Sequence, residues 1–403
     1  MQAFCLILAL ATQVSAEECT ILTVDQCIES VIKKNTLVGI SEEHISQAQF
    51  RDQEARAGMF PTVSSNLYGA VSTDVPVIGI EGRIEQPLFL GGQLFAQRRK
   101  TQAQVKLSQE EKILSQVDLA YAIRDTFFEI KKTEADIQLL QEEIVYFKKV
   151  LDADQRLVQA EYRTQASMLE HAVMLGEKER ALLAKEKQLE FLYDYLMSLT
   201  GLDKNKSYVL EDVRDIEKDG NNGIAHPSNE PLLASLDLKI NEAQEDLNIA
   251  KSERFPKVHL VGKYRREKDS FYDKNAFEAG VLVHWNIWDF GRTTAEINQM
   301  NSKLTESKLR KETEIATHVL LIKKAMNDLA INRQSIAIKE QVLDATQEKV
   351  KNLKIRHIKG DISDMDMADM NIRELKAKTE LVSEIYNYHI AEARVFQAIG
   401  VIR

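Results

Sequence analysis

Carboxylates are the one chemistry-bearing residue type that gathers in this chain. Asp361, Asp364, Asp366 and Asp369 follow closely on Gly360. Asp366 and Asp369 are three residues apart, which on a helix puts both on one face. Crowded carboxylates repel one another unless cations or hydrogen-bond donors intervene, so such a face concentrates or binds cations. Acids at a helix start also favour the N-terminal dipole; that plainer reading fits Asp361 and Asp364 well, Asp366 and Asp369 less well. Other chemistries lack their parts. The eight histidines are scattered without metal-ligand spacing or neighbouring cysteine pairs. Gly91-Gly92 reads as a turn and not as a phosphate loop. No catalytic constellation, metal site or cofactor site is expected, and the chain does not read as an enzyme.

The acids sit on one of two very long helical hairpins. Gln93 to Thr200 contains no proline and one glycine, Gly176. Ile137, Leu140, Ile144, Phe147 and Leu151 recur in steps of three and four, as do Leu182, Leu189, Leu192, Leu196 and Leu199. That spacing keeps one apolar stripe against a partner helix. One helix over Gln93 to Tyr162 would run about 100 Å at about 1.5 Å per residue. Between Arg292 and Ile399 the pattern returns, with Ile315, Val319, Ile322, Met326, Leu329, Ile336, Leu343 and Val350 in register. All six prolines fall outside the two hairpins, where helix would be broken at a cost of about 3 kcal/mol. A formal charge of -9 argues against general nucleic-acid binding. No run reaches the ~18 apolar residues of a membrane helix.

Along the chain, residues 1–16 read as a secretory signal, with Phe4 to Ala11 apolar and Val14-Ser15-Ala16 as the cleavage site. The mature chain keeps Cys19 and Cys27, which either pair in an oxidising compartment or leave Cys27 as a small buried residue. Cys19 follows no lipobox, so no lipid anchor is expected. Thr23-Val24-Asp25-Gln26 is a capping box opening a helix to about Ala57, and Pro61 follows. From Thr62 to Phe89 the period becomes two. Ile78, Ile80, Gly82 and Ile84 oppose Gly79, Glu81, Arg83 and Glu85, giving a strand with one apolar and one charged face. Val63 to Ser72 is its partner and residues 73–76 the turn. Residues 202–229 break in composition and read as a connector, with a polar loop at 219–223.

The second half repeats the first. A helix spans Glu230 to Lys251, and Arg254-Phe255-Pro256 echoes Met59-Phe60-Pro61. Val258, Leu260, Gly262 and Tyr264 share a face, as do Phe277, Ala279, Val281, Val283, Trp285 and Ile287. The expected organisation is a first repeat over 17–201 (β-hairpin 62–89, helical hairpin 93–200), the connector, and a second repeat over 230–403 (β-hairpin 257–288, helical hairpin 292–399).

Two copies of helix, strand pair and long helical hairpin resemble the bacterial outer-membrane efflux protein (TolC) family. The residues that carry the likeness are Pro87-Leu88-Phe89-Leu90-Gly91-Gly92, its twin Asp289-Phe290-Gly291, the closing Leu199-Thr200-Gly201, and the turns Tyr162-Arg163-Thr164-Gln165 and His357-Ile358-Lys359-Gly360, with Gln165 where glycine is usual. The resemblance implies a mainly α fold with a membrane β-barrel: a homotrimer whose protomers each give four strands to a 12-stranded barrel in outer-membrane lipid, and their helices to a periplasmic tunnel. Physics agrees, because a lone four-stranded sheet leaves its edges unpaired in lipid. His284 then lines the barrel. Counted from Gly360, Asp366 and Asp369 match the two aspartates that narrow the family's periplasmic entrance, an acidic ring suited to cations that could extend to Asp364. Tyr162, Gln165, His357 and Gly360 mark the turns that meet a periplasmic adaptor (membrane fusion) protein, which links to an inner-membrane transporter. The expected function is a passive exit duct for efflux or type I secretion, against the alternative of a periplasmic coiled-coil adaptor or scaffold.

Overall fold

The computed structural model describes residues 20–72, 75–162, 164–202, 208–213, 229–268 and 272–402. The signal segment 1–16, Cys19, residues 73–74, Arg163, the loop 219–223 and the side chain of Asp364 lie outside the described residues. In chain order the elements are β1 (Thr20–Leu22), α1 (Val24–Lys34), α2 (Thr36–Ala57), β2 (Thr62–Ser72), β3 (Val75–Leu90), α3 (Gln93–Gln159) and α4 (Gln165–Thr200). There follow β4 (Tyr208–Leu210), α5 (Glu230–Ser252), β5 (Lys257–Lys268), β6 (Asp273–His284), α6 (Arg292–Ile358) and α7 (Asp364–Ile399).

The duplication is in strict helical register. α3 and α6 each span 67 residues, α4 and α7 each span 36, and both second-repeat helices start and stop 199 residues after their counterparts. Gly201 and Gly400 end α4 and α7 in the same left-handed conformation. The chain forms two compact units, one drawn from 1–38, 116–228 and 319–403, the other from 39–115 and 229–318. Neither unit is a single repeat; each takes material from both.

In the first unit the capping box forms as read: Thr23 accepts from the Gln26 amide at 3.1 Å and Gln26 accepts from the Thr23 amide at 3.2 Å. The helix it opens does not run unbroken to Ala57. Asn35 interrupts it, accepting from the Leu37 amide at 2.7 Å and donating to the Leu199 carbonyl at 2.6 Å. One amide side chain thus ends α1, starts α2 and ties both to the end of α4. The connector is also more than a loop, since β4 pairs in parallel with β1 from Thr20↔Tyr208 to Leu22↔Leu210. Around this small sheet Cys27, Val31, Ile123, Phe127, Leu196 and Tyr386 are buried. Burial pushes the Cys27 thiol up to about 11. Tyr386 keeps its hydroxyl satisfied by donating to Asp212 at 2.7 Å. The heptad stripes hold at Ile137, Ile144, Leu196, Ile322, Ile336 and Val350, all buried. Val319 departs from its stripe and lies exposed beside Leu320 and Leu321.

In the second unit α5 packs on α6 through Ala243, Leu247, Ala250, Ile297 and Leu304. Asp246 fixes the arrangement, accepting from Lys100 at 2.6 Å and Lys303 at 2.9 Å. Burial pushes its carboxyl up, but the two lysine hydrogen bonds prevail and hold it below the usual carboxylate range.

Four strands form one antiparallel sheet in the order β2-β3-β5-β6, with β2 and β6 at its edges. Directly paired residues share a face, so the register assembles both faces. Val63–Ile84–Gly262–Ala279 and Val258–Val283 lie on the apolar face; Ser64–Arg83–Lys263–Glu278 and Asn66–Glu81–Arg265 lie on the other. The apolar side chains Val63, Leu67, Ile84, Phe277, Val281 and Val283 are exposed. On the polar face Arg83 pairs with Glu85 at 2.7 Å, and Arg265 with Glu81 at 3.4 Å. β6 stops at His284, short of the expected residue 288. Lys257, the first residue of β5, pairs with His284; before it Pro256 has no N–H to extend the ladder.

Each strand pair hands over to a long helix through a left-handed turn, Gly91 at φ 63° and Gly92 at φ 89° in the first repeat. A Cβ on Gly91 would sit 2.5 Å from the Ser252 carbonyl oxygen, whereas one on Gly92 would meet nothing within 4 Å. Both alanine variants incur the left-handed cost of roughly 1–2 kcal/mol, and Gly91→Ala adds a backbone clash. Chemical denaturation should show Gly91→Ala losing clearly more stability than Gly92→Ala; equal losses would mean that the turn gives way.

Candidate functional site

The two turns between long helices are built alike. Glu161 donates to the Val158 carbonyl and Tyr162 to Leu157, while Gly360 donates to His357 and Asp361 to Arg356, each pair 199 residues apart. Glu161 (φ 59°) and Gly360 (φ 80°) take the same left-handed position. The counterpart of the second turn's glycine is therefore Glu161; Gln165 is the first residue of α4. Tyr162 projects fully from the turn, Gln165 and Gly360 are exposed, and His357 is half-buried.

Past the second turn, Ser363 caps α7. Its hydroxyl accepts from the Asp366 amide at 3.2 Å and donates to the Asp366 carboxylate at 2.7 Å. Asp366 is thus a capping residue as well as a member of the acidic face. Asp369 accepts from Arg373 at 2.8 Å, one turn further on. Both carboxylates bear on Tyr146 of α3. Burial pushes the Tyr146 hydroxyl up, Asp369 and Asp366 push it further, and Arg373 opposes them. Asp366, Asp369 and Arg373 of α7 thus act electrostatically on Tyr146 of α3. Arg373 was visible in the sequence as the i+4 partner of Asp369. Tyr146 carried no local signal, being more than two hundred residues away.

The first hairpin has its own buried acid. Asp154 of α3 is 1 % exposed and paired with His171 of α4. Further along, Lys178 pairs with Glu143 at 2.6 Å and Lys185 with Asp136 at 2.8 Å. These pairs cross between α3 and α4. Among the described residues, no group of three or more His, Cys, Asp or Glu is arranged to hold a metal ion. Among the described residues, no helix is long and apolar enough to cross a membrane.

Residues 227–401 match the family model described as outer membrane efflux protein. No curated protein matches the chain. Among solved structures, the chain is similar to the channel CusC at 12% identity, covering 97% of this chain and 95% of that one, with a TM-score of 0.77. It is similar to the Campylobacter jejuni CmeC outer membrane channel at 15% identity, covering 94% and 85%, with a TM-score of 0.80. To the open state of the Neisseria gonorrhoeae MtrE outer membrane channel it is 13% identical over 97% and 94%, with a TM-score of 0.75. At such identities these likenesses speak to the fold, which they share along nearly the whole chain. The second repeat thus matches the outer membrane efflux protein family model, and the first repeat folds like it.

Proposed function

We propose that this protein is the outer-membrane exit duct of a tripartite efflux or type I secretion system, passing cargo from periplasm to exterior. The observation that carries the reading is the four-stranded sheet: one face apolar and exposed, one charged, and both edges open. In lipid those edges must be paired. Three protomers side by side close twelve strands, apolar face outward, charged face toward a water-filled lumen. A periplasmic adaptor or scaffold would have no use for an apolar face left bare over four strands.

In this reading Asp366 and Asp369, with Asp364 beside them, ring the periplasmic entrance and set its preference for cations. Tyr162, Gln165, His357 and Gly360 present the hairpin turns to an adaptor protein that connects an inner-membrane transporter. The duct itself is passive and binds no cofactor; the energised partner selects the cargo. Extraction of membranes should yield the protein from the outer-membrane fraction as a detergent-soluble trimer. A monodisperse monomer obtained without detergent would overturn the proposal, because a bare apolar sheet could not stay in solution alone.

A further inference from the structure

The two strand pairs of the sheet correspond residue for residue. The pair Thr62↔Glu85, at one end of the β2–β3 ladder, becomes Lys257↔His284 in the second repeat, at offsets of 195 for β2 to β5 and 199 for β3 to β6. Beyond that pair the repeats part. β3 runs on to Leu90 without β2, because β5 lies along its other edge: Gln86↔Leu260, Pro87↔His259, Phe89↔Val258 and Leu90↔Lys257. β6 lies at the edge of the sheet and stops at His284. The segment after it, 285–289, is nonetheless placed as 86–90 is. The Gln86 side chain donates to the Met59 carbonyl at 3.0 Å, and the Trp285 side chain to the Arg254 carbonyl at 3.2 Å, the same two positions of the repeat. Past the segment, Phe290 and Gly291 take φ 53° and 87° where Gly91 and Gly92 take 63° and 89°. Held alike at both ends, 285–289 lacks only a strand beside it, and Ile287 and Trp288 stay 77% and 75% exposed.

The counterpart of β5 is β2, and β2 has an open outer edge. A second copy of this chain therefore carries the strand that 285–289 lacks. We propose that on assembly residues 285–289 become strand by adding to β2 of the neighbouring protomer, in the register that β3 keeps with β5. Main-chain hydrogen bonds to an exposed edge supply the attraction. The offsets set His284 opposite the partner's Asn66, Asn286 opposite the partner's Ser64, and Trp288 opposite the partner's Val63. Asn286 has the backbone N–H that its counterpart Pro87 lacks, so the added ladder need not skip that position. The strand addition rests on the duct reading above, in which protomers meet edge to edge.

Cysteine pairs in the full-length chain test it, in a Cys19→Ser background; Cys27 is buried. Opposed residues on neighbouring strands lie about 4.5–5.5 Å apart between Cα atoms, within disulfide reach, whereas a two-residue offset gives about 7–8 Å, beyond it. Inside one protomer β2 and β6 stand three strand spacings apart, about 14 Å, so a bond can form only between protomers. His284→Cys with Asn66→Cys marks the seam. Asn286→Cys with Ser64→Cys, and Trp288→Cys with Val63→Cys, mark the added strand. Asn286→Cys with Asn66→Cys is the offset control. Mild oxidation of outer-membrane fractions should turn most chains of the first three variants into covalent trimers that reduction returns to monomers. The offset control should stay monomeric in denaturing gels. A seam pair that links while neither segment pair does overturns the strand addition and leaves the duct standing. An offset control that links as readily as the segment pairs overturns the register. If no pair links, protomers do not meet at these edges, and the strand addition and the duct reading fall together.

Discussion

Val283→Arg should keep the protein out of the outer membrane. Val283 is exposed on the apolar face, paired with Val258 and two residues from Val281. An arginine at the bilayer midplane costs roughly 2–4 kcal/mol in a barrel, and a trimer would incur it in every protomer. Ile80→Arg serves as the depth control. Ile80 also faces outward, but the register places it beside Arg266, which in turn pairs with Asn275, so the apolar band has ended there. Near an interface the cost falls to about 0–1 kcal/mol. Glu81→Arg tests the opposite face: it loses the 3.4 Å pair with Arg265 but puts no charge into lipid. The share of folded trimer in the outer-membrane fraction should therefore drop sharply for Val283→Arg and slightly for the other two. Equal tolerance of all three substitutions would show that the sheet does not lie in lipid.

Joint replacement of Asp366 and Asp369 by asparagine should abolish block of the channel by multivalent cations applied from the periplasmic side. It should also weaken the channel's cation preference. Arg373, which pairs with Asp369 at 2.8 Å, already offsets one carboxylate, and removing Asp366 and Asp369 leaves the guanidinium to repel cations. Asparagine retains the shape and can still accept from the Ser363 hydroxyl, so the cap of α7 and trimer assembly should survive. Blocker affinity should fall by tenfold or more, about 1.4 kcal/mol. Arg373→Gln should act the other way and strengthen both block and cation preference. Conductance and reversal potential in planar bilayers under a salt gradient measure both. Unchanged block in the double variant would place the constriction elsewhere and leave Asp366 as a capping residue alone.

The long helices and the faces of the strands were legible because their periods repeat over many residues. Two faults in the sequence reading have one cause, a tertiary partner that no local pattern announces. Asn35 breaks the first helix without proline or glycine, because its side chain is drawn to the Leu199 carbonyl. β1 and β4 are three residues each and pair across nearly the whole first repeat, so neither shows periodicity alone. The outward faces of Ile80 and Val283 were readable, but their depths were not, because depth depends on which residue stands across the sheet. At the candidate entrance, the acids and the turn glycine stood out, and their placement as a ring remains the proposal above. The structure adds Ser363 and Arg373 as the groups that hold or oppose those charges.

The open edges of β2 and β6 have a genetic consequence. In the proposed trimer, a protomer whose own strands are sound would still depend on two neighbours to cover β2 and β6, the edges of its sheet. A defective strand face is therefore not confined to the molecule that carries it. In a cell making both wild-type and Val283→Arg chains, any ring that takes up one altered protomer carries the buried arginine. The share of wholly wild-type rings then falls as the cube of the wild-type fraction, so the altered allele behaves as dominant. A lesion in α1 or the small β1–β4 sheet that prevents a protomer from folding would instead remove that chain before it joins a ring, and would be recessive.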